Sequence, residues 1–306
     1  MSWKKYFEAH TKRCIHHAKW VMDLNVNNNG FCRRIKNVGL LAKCFRQDVI
    51  PFMDLSVGTI CTLRCRDCSQ WNPYLKNRTW YAWEKLINDV EQMLKTVDYI
   101  FGVGVIGGEP LAYPDLEKVL EYLCNNDRIG YVLLVTNGTV YPKDSVIKWM
   151  KHPKVTTWIS CYAAVDASEA REKLFALMAD KSAEINHGIF HEMIWKDMGL
   201  LEDKPRKYST SEIKENFDIC WLKDCCAYMN GKLYRCTRSY GLENNLGVNV
   251  EKECIEFEKI NTKKELKSYL KKFYGLEYLT ACYWCNDIKQ RKDITAGIQL
   301  ERREKA

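Results

Sequence analysis

Cys61-Thr62-Leu63-Arg64-Cys65-Arg66-Asp67-Cys68 is the stretch on which the reading of this chain turns. Three thiols stand at C-x3-C-x2-C spacing, directly after an apolar, strand-like run from Pro51 to Val57. Closely spaced thiolates in one loop can converge on a single soft metal centre. Structural zinc sites are usually closed by four ligands, and no fourth Cys or His lies within reach along this loop. His10, His16 and His17 are remote in sequence, so only folding could bring them near.

Working outward from this loop, short apolar runs alternate with helix-length amphipathic segments, the signature of parallel β/α architecture. Phe52 to Val57 reads as the first strand, Tyr99 to Ile106 as the second and Tyr131 to Val135 as the third. Val155 to Ser160 reads as the fourth and Ile189 to Ile194 as the fifth, with no clear sixth before Cys220. Helical periodicity runs through Trp83 to Leu94, Pro114 to Leu123, Ser145 to Met150 and Ala167 to Leu177. The fold class expected is α/β, a partial (βα)5-6 TIM-like barrel over residues 51–200. Residues 1–50 read as an N-terminal helical extension and 201–306 as a smaller second domain with its tail.

In barrels of this kind the chemistry gathers at the C-terminal ends of the strands. The cysteine loop follows strand one, Gly107-Gly108-Glu109-Pro110 follows strand two, Val135-Thr136-Asn137-Gly138 ends strand three, and Ser160-Cys161-Tyr162 ends strand four. Four unusual stretches therefore fall on one rim. Paired glycines let backbone approach a ligand closely.

The cysteine motif, with Gly107-Gly108-Glu109-Pro110 after the next strand, resembles the radical S-adenosylmethionine (SAM) superfamily. The resemblance implies that Cys61, Cys65 and Cys68 hold three irons of a [4Fe-4S] cluster. The fourth iron would chelate SAM, and reduction would release a 5'-deoxyadenosyl radical. It also implies that Gly107, Gly108, Glu109 and Pro110 face the amino group of SAM. Thr136 and Asn137 match a common segment of the family, and Ser160 is a candidate for the SAM carboxylate or ribose. One departure is Asp67: many members carry an aromatic residue there against the adenine, so Trp71, Tyr74 or Trp80 become candidates for that surface.

A second cysteine-rich region runs from Cys220 to Cys285. Asn230-Gly231 between two short strand-like runs is the strongest local hairpin signal. Cys220, Cys236, Cys282 and Cys285 are similar in arrangement to the twitch domain, the shortened form of the SPASM domain. The resemblance implies a second [4Fe-4S] cluster in a small C-terminal iron-sulfur (twitch) domain, with Cys225 an alternative ligand. Four thiolates suit zinc equally well. Cys225, Cys226 and Cys254 are also candidate hydrogen-atom donors to a substrate radical, because an S–H bond is weaker than most C–H bonds. Asp197, after the fifth strand in Trp195-Lys196-Asp197, is a candidate for a substrate hydroxyl.

Composition narrows the function classes. The 306 residues hold fifteen cysteines at 46% hydrophobic content, without an N-terminal apolar region of the secretory type; such cysteines in an intracellular chain point to metal or catalysis. No apolar run approaches the ~18 residues of a membrane span, so a cytoplasmic enzyme without membrane contact is expected. Cys14, Cys32 and Cys44 are too widely spaced to suggest a ligand set. A formal charge of +8 spread along the chain argues only weakly for nucleic acid, and no basic, aromatic-interleaved RNA module is present. The resemblance extends to sugar- and aminocyclitol-modifying members such as 2-deoxy-scyllo-inosamine dehydrogenase. It implies hydrogen abstraction from a hydroxyl-bearing carbon of a sugar, nucleotide-sugar or aminocyclitol, ending in dehydrogenation or epimerisation. A reductant such as flavodoxin or ferredoxin would serve the cluster. The alternative is a peptide-modifying enzyme, an epimerase or a thioether former.

Overall fold

Tyr99–Ile106 (YIFGVGVI) is buried at every residue, as a strand must be when both faces of a parallel sheet are covered. The structure, a computed structural model, describes residues 49–166, 169–202 and 204–301. The helical extension expected over 1–50 falls almost entirely outside the described residues, with Cys14, Cys32 and Cys44, as does the tail from Arg302.

β1 (Val49–Ile50), β2 (Met53–Ser56), β3 (Tyr99–Ile106), β4 (Ile129–Thr136), β5 (Val155–Tyr162) and β6 (His187–Glu192) belong to one nine-stranded sheet. β2 to β6 lie side by side in chain order and all parallel, with β1 also parallel to β3. The connections are α1 (Trp83–Thr96), α2 (Leu116–Asn125), α3 (Asp144–Met150) and α4 (Glu169–Ala179). This is the α/β fold of a partial TIM-like barrel. Helical spacing along α1 sets Leu86, Val90 and Met93 against Met53, Leu55 and Val105 of the sheet in one core. Each such side chain stabilises the fold by about 1.5–3 kcal/mol through burial.

The fifth strand keeps the expected length but begins and ends two residues earlier than the apolar run suggested. β6 ends at Glu192, and β7 (Ile194–Lys196) leaves the sheet to pair antiparallel with β11 (Asp293–Thr295). The missing sixth parallel strand lies on the opposite flank: β8 (Ala227–Met229) pairs parallel with β2. Three residues are too few to carry a periodicity signal. β9 (Lys232–Tyr234) returns antiparallel to β8, and β10 (Cys254–Glu256) pairs antiparallel with β9. The turn between β8 and β9 has φ 48° at Asn230 and φ 94° at Gly231, the two positive values that an Asn-Gly hairpin supplies without strain.

Among the described residues three further α-helices follow: α5 (Thr210–Asp218), α6 (Thr237–Leu246) and α7 (Lys263–Tyr274). α5 and α7 begin with reciprocal capping boxes, Ser209 with Glu212 and Thr262 with Glu265. Each satisfies two backbone donors at a helix start. Among the described residues no helix is long and apolar enough to cross a membrane.

Candidate functional site

β2 to β6 all deliver their C-terminal ends to one rim, and the cysteine loop is stitched to that rim by backbone. Gly108 N–H donates to Gly58 O and Glu109 N–H to Ile60 O, each at 3.0 Å. The approach is so close that a Cβ at Gly108 would lie 1.8 Å from Ile60 O. The glycine pair is therefore required by the cysteine loop itself. Its N–H groups at Gly108 and Glu109 are spent on that loop.

Glu109 is fully buried, and its carboxylate gathers three donors. Oε1 accepts from Leu111 N at 2.9 Å and from Thr136 Oγ1 at 2.6 Å; Oε2 accepts from Asn137 N at 2.8 Å. Burial pushes this carboxyl up, while Thr136, Asn137 and Leu111 pull it back. Glu109 thus clasps the end of β3 to the end of β4. Asn137, so placed, extends Nδ2 to 3.6 Å from Cys61 Sγ and 3.2 Å from Thr62 Oγ1. The Thr-Asn-Gly turn holds the first cysteine from across the rim.

A strap formed by 293–300 closes the other side. After β11, Ala296 N–H donates to Met193 O and Ala164 N–H to Ala296 O. Arg66 N–H then donates to Ile298 O at 2.7 Å and Leu300 N–H to Arg64 O at 2.8 Å, flanking a bridge between Cys65 and Gln299. Gln299 takes Arg64 N–H on Oε1 at 2.7 Å and reaches Cys65 Sγ with Nε2 at 3.3 Å.

Within this frame lies a cavity of about 510 Å³, walled by Cys61, Cys65, Cys68 and Gly107 to Pro110 on one side. Thr136, Asn137, Tyr162, Phe190, Glu192, Trp195 and Trp221 complete much of the wall. Burial, with like charge from Glu109 and the other two thiols, pushes Cys61 up to about 12. Burial and Cys68 push Cys65 up to about 11. The three cysteines feel one another.

Residues 55–161 match the model described as the radical SAM superfamily. Over that stretch the chain is similar to the radical SAM superfamily. The GTP 3',8-cyclase of Syntrophomonas wolfei is 31% identical over 97 residues, 30% of this chain and 28% of that protein. The antilisterial bacteriocin subtilosin biosynthesis protein AlbA of Bacillus subtilis is 29% identical over 182 residues, 54% of this chain and 38% of AlbA. In both cases the match spans well under half of the relative's length. Among solved structures the chain is similar to BtrN in complex with AdoMet and 2-DOIA (TM-score 0.49, 12% identity, 82% of this chain and 98% of that one). Streptococcus suis SuiB bound to S-adenosylmethionine is a further neighbour (TM-score 0.38, 16% identity, 72% and 52%).

The superfamily implies a [4Fe-4S] cluster and SAM, and the residues of the radical SAM domain fit both. Three thiols border one cavity, with N–H donors on two of them: Leu63 N at 3.4 Å and Asn137 Nδ2 on Cys61, Gln299 Nε2 on Cys65. Such donors are the outer-shell partners that orient metal ligands. On the same wall Asn72 is 4% exposed, and its Oδ1 has no hydrogen-bond partner, an open acceptor suited to an ammonium group. Among the described residues no three His, Cys, Asp or Glu side chains close around a single metal ion. A four-iron cluster is larger than one ion and holds its ligands correspondingly farther apart.

Several sequence candidates are engaged within the fold or sit elsewhere. Thr136 is occupied by Glu109 and by Gly138 N–H. Ser160 is buried and does not border the cavity; Tyr162, two residues on, does. Trp71 is 0% exposed under the core, and neither Tyr74 nor Trp80 borders the cavity. The aromatic wall comes instead from Tyr162, Phe190, Trp195 and Trp221. Asp197 turns back on its own loop, Oδ1 accepting from Gly199 N at 2.9 Å. Glu192, which the sequence reading passed over, borders the cavity with its carboxyl raised by burial and held by Trp195 Nε1 at 2.8 Å. The signal available for it was an acidic residue at the end of the fifth strand.

Cys220, Cys236, Cys282 and Cys285 border a second, small cavity of about 30 Å³, with Met198, Phe217 and Leu279. Burial, with Cys285 and Cys220 as charged neighbours, pushes Cys236 up to about 12. Cys225 does not border that cavity, though burial and the charges of Asp54, Cys226, Asp224 and Cys236 all push its thiol up. Cys226 is 1% exposed, its thiol donating to Phe52 O. Cys254 lies on β10, at the far flank of the sheet. None of these three candidate hydrogen donors borders the large cavity, because the pairing of β8 with β2 carries the 225–226 segment away from it.

Proposed function

We propose that this chain is a radical SAM enzyme that abstracts a hydrogen atom from a hydroxyl-bearing carbon of a small polar substrate, sugar-like or aminocyclitol-like, and oxidises it. The observation that carries the reading is the shared cavity of Cys61, Cys65, Cys68, Asn72 and Glu192. Cys61, Cys65 and Cys68 would hold the [4Fe-4S] cluster, which with SAM supplies a 5'-deoxyadenosyl radical when bound. Cys220, Cys236, Cys282 and Cys285 would hold a second [4Fe-4S] cluster, which would accept the electron left on the substrate radical when the hydroxyl proton goes to Glu192. Asn137 and Gln299 orient the ligand sulfurs, and Asn72 Oδ1 would accept from the SAM amino group.

Glu192 takes the substrate hydroxyl. Its carboxyl, made more basic by burial, can take the hydroxyl proton as a general base. The ring of Trp195, edge-on to Tyr162 at 5.0 Å, keeps that carboxylate in place. Dehydrogenation is favoured over epimerisation because, among the described residues, no cysteine beyond the three cluster ligands borders the cavity. A thiol returning hydrogen to the substrate would need that position.

The similarity to AlbA, spanning 54% of this chain, favours a second reading, a peptide substrate. Exposed apolar residues beside the cavity, Phe190, Met193 and Ile194, would suit one. Anaerobically reconstituted enzyme should release 5'-deoxyadenosine from SAM, and Cys61→Ala should abolish it. Deuterium transfer into 5'-deoxyadenosine from ring-deuterated aminocyclitols or nucleotide-sugars supports the first reading. Transfer only from deuterated peptides replaces it with the second, and a wild type that never cleaves SAM rejects both.

A further inference from the structure

Arg238 is 1% exposed, one of the largest fully buried side chains in the molecule. Among the described residues no carboxylate lies within ion-pair distance of it, and its Nε has no hydrogen-bond partner. A buried charge without compensation is costly, so its surroundings should reveal what offsets it. Nη1 donates to Met198 O and Nη2 to Gly199 O, each at 2.9 Å. Nη1 also stands 3.6 Å from Cys285 Sγ. The guanidinium lies 4.3 Å over the ring of Trp71, itself 0% exposed. On the ring's surroundings, Gly241 is so close that a Cβ there would meet Trp71 Cε3 at 2.8 Å. Trp71 Nε1 donates to the same Gly199 O that Arg238 uses.

Carbonyl dipoles and a π-face attract a cation but carry no net negative charge. The remaining neighbours are sulfur. Arg238 follows Cys236 by two residues at the start of α6 and touches Cys285, both on the second cysteine cavity. On its other side lies the Trp71 ring it covers, and Trp71 N–H donates to Cys68 O. One fixed cation faces both cysteine groups.

We propose that Arg238 is the shared counter-charge of two anionic metal–thiolate centres, one held by Cys61, Cys65 and Cys68 and the other by Cys220, Cys236, Cys282 and Cys285. The proposal rests on the reading of the latter four as ligands of a second cluster. Reduction adds negative charge to each centre, so a neighbouring cation and an N–H···S contact favour the reduced state. Arg238 therefore raises both midpoint potentials together. The effect is larger at the second centre, which it contacts, than at the first, which it faces across Trp71.

The test is an EPR-monitored redox titration of the reconstituted full chain, in wild type, Arg238→Gln and Arg238→Lys. A Cys282→Ala/Cys285→Ala protein assigns the signals. Wild type should hold about eight irons, as two four-iron clusters. Arg238→Gln should keep its iron while the reduced-to-oxidised ratio at fixed potential falls about ten-fold at the second centre, with a smaller fall in the same direction at the first. Arg238→Lys keeps the charge and should restore most of both ratios, and it is the decisive comparison if the Gln protein fails to fold. Unmoved midpoints with full iron overturn the counter-charge role, and so does movement at the second centre alone. Equal loss in the Lys and Gln proteins assigns the effect to packing and overturns it too. Four irons in wild type, unchanged in the double cysteine variant, reject the second cluster itself, a failure read from iron counts before any potential is measured.

Discussion

Replacing Glu109 with Gln tests whether the rim is clasped from within. The carboxylate receives three donors, two on Oε1 and one on Oε2. The isosteric amide keeps one oxygen. If that oxygen stays with Leu111 N–H and Thr136 Oγ1, the new NH2 group confronts Asn137 N–H, and a buried donor loses its acceptor. Losing one charge-assisted bond and stranding its donor costs about 3–5 kcal/mol. Against this, burial already disfavours the charged carboxyl, so neutralising it returns part of that cost. The net loss expected is about 2–4 kcal/mol, which for a chain of this size lowers Tm by roughly 4–8 °C. Differential scanning calorimetry of the iron-free and reconstituted proteins measures it. The clasp also aims Asn137 at Cys61, so Glu109→Gln should lose iron faster on exposure to chelator. A Tm within about 1 °C of wild type, with unchanged iron retention, would falsify the account of Glu109 as the tie between the second and third strand ends.

Other perturbations follow the same logic. Burial raises Asp54 to about 7, and no side chain among the described residues donates to it. The folded chain then holds this proton longer than the unfolded one. The associated stability is full below about pH 4 and is lost as pH rises through about 7. Three units correspond to roughly 4 kcal/mol at full burial, reduced to about 1–2 kcal/mol by the partial solvent contact of this half-buried group. Asp54→Asn should therefore stabilise against urea near pH 8 and change little near pH 5; equal effects at both would refute the assignment. Gly108→Ala, with its Cβ 1.8 Å from Ile60 O, should displace the cysteine loop and abolish cluster assembly, whereas Gly188→Ala, whose Cβ makes only ordinary contact with Trp158 at 3.6 Å, should retain it. Gln299→Ala removes the donor on Cys65, and iron affinity measured by chelator competition should fall about ten-fold.

The parallel core could be read before any coordinates because its strands are long and uniformly apolar. Tyr99–Ile106 has the same bounds in sequence and structure, and Asn230-Gly231 forms the expected hairpin turn. Cys61, Cys65 and Cys68 were found from spacing alone, since local loop geometry limits where such residues can point. What escaped the sequence depends on distant partners. β8 has three residues, and only its register against Asp54 and Leu55 makes it a strand of the barrel sheet. Glu109 looked like a ligand until its donors on β4 came into view. Trp71 looked available to an adenine, yet it lies under a guanidinium and a helix glycine. No periodicity announces that Gln299 meets Cys65, because the two are 234 positions apart.

That distance has a bearing on how the protein matures. A chain emerging from the ribosome exposes its three thiols long before residues 298–300 exist to pair with them. The last strand pairing across the rim is among the most non-local contacts in the molecule, and such contacts form slowly. During the interval the loop is open to oxidants, stray metals and the machinery that delivers iron and sulfide alike. Arrival of the strap then covers Cys65 with Gln299, so the thiol is more open to its surroundings before that pairing forms than after it.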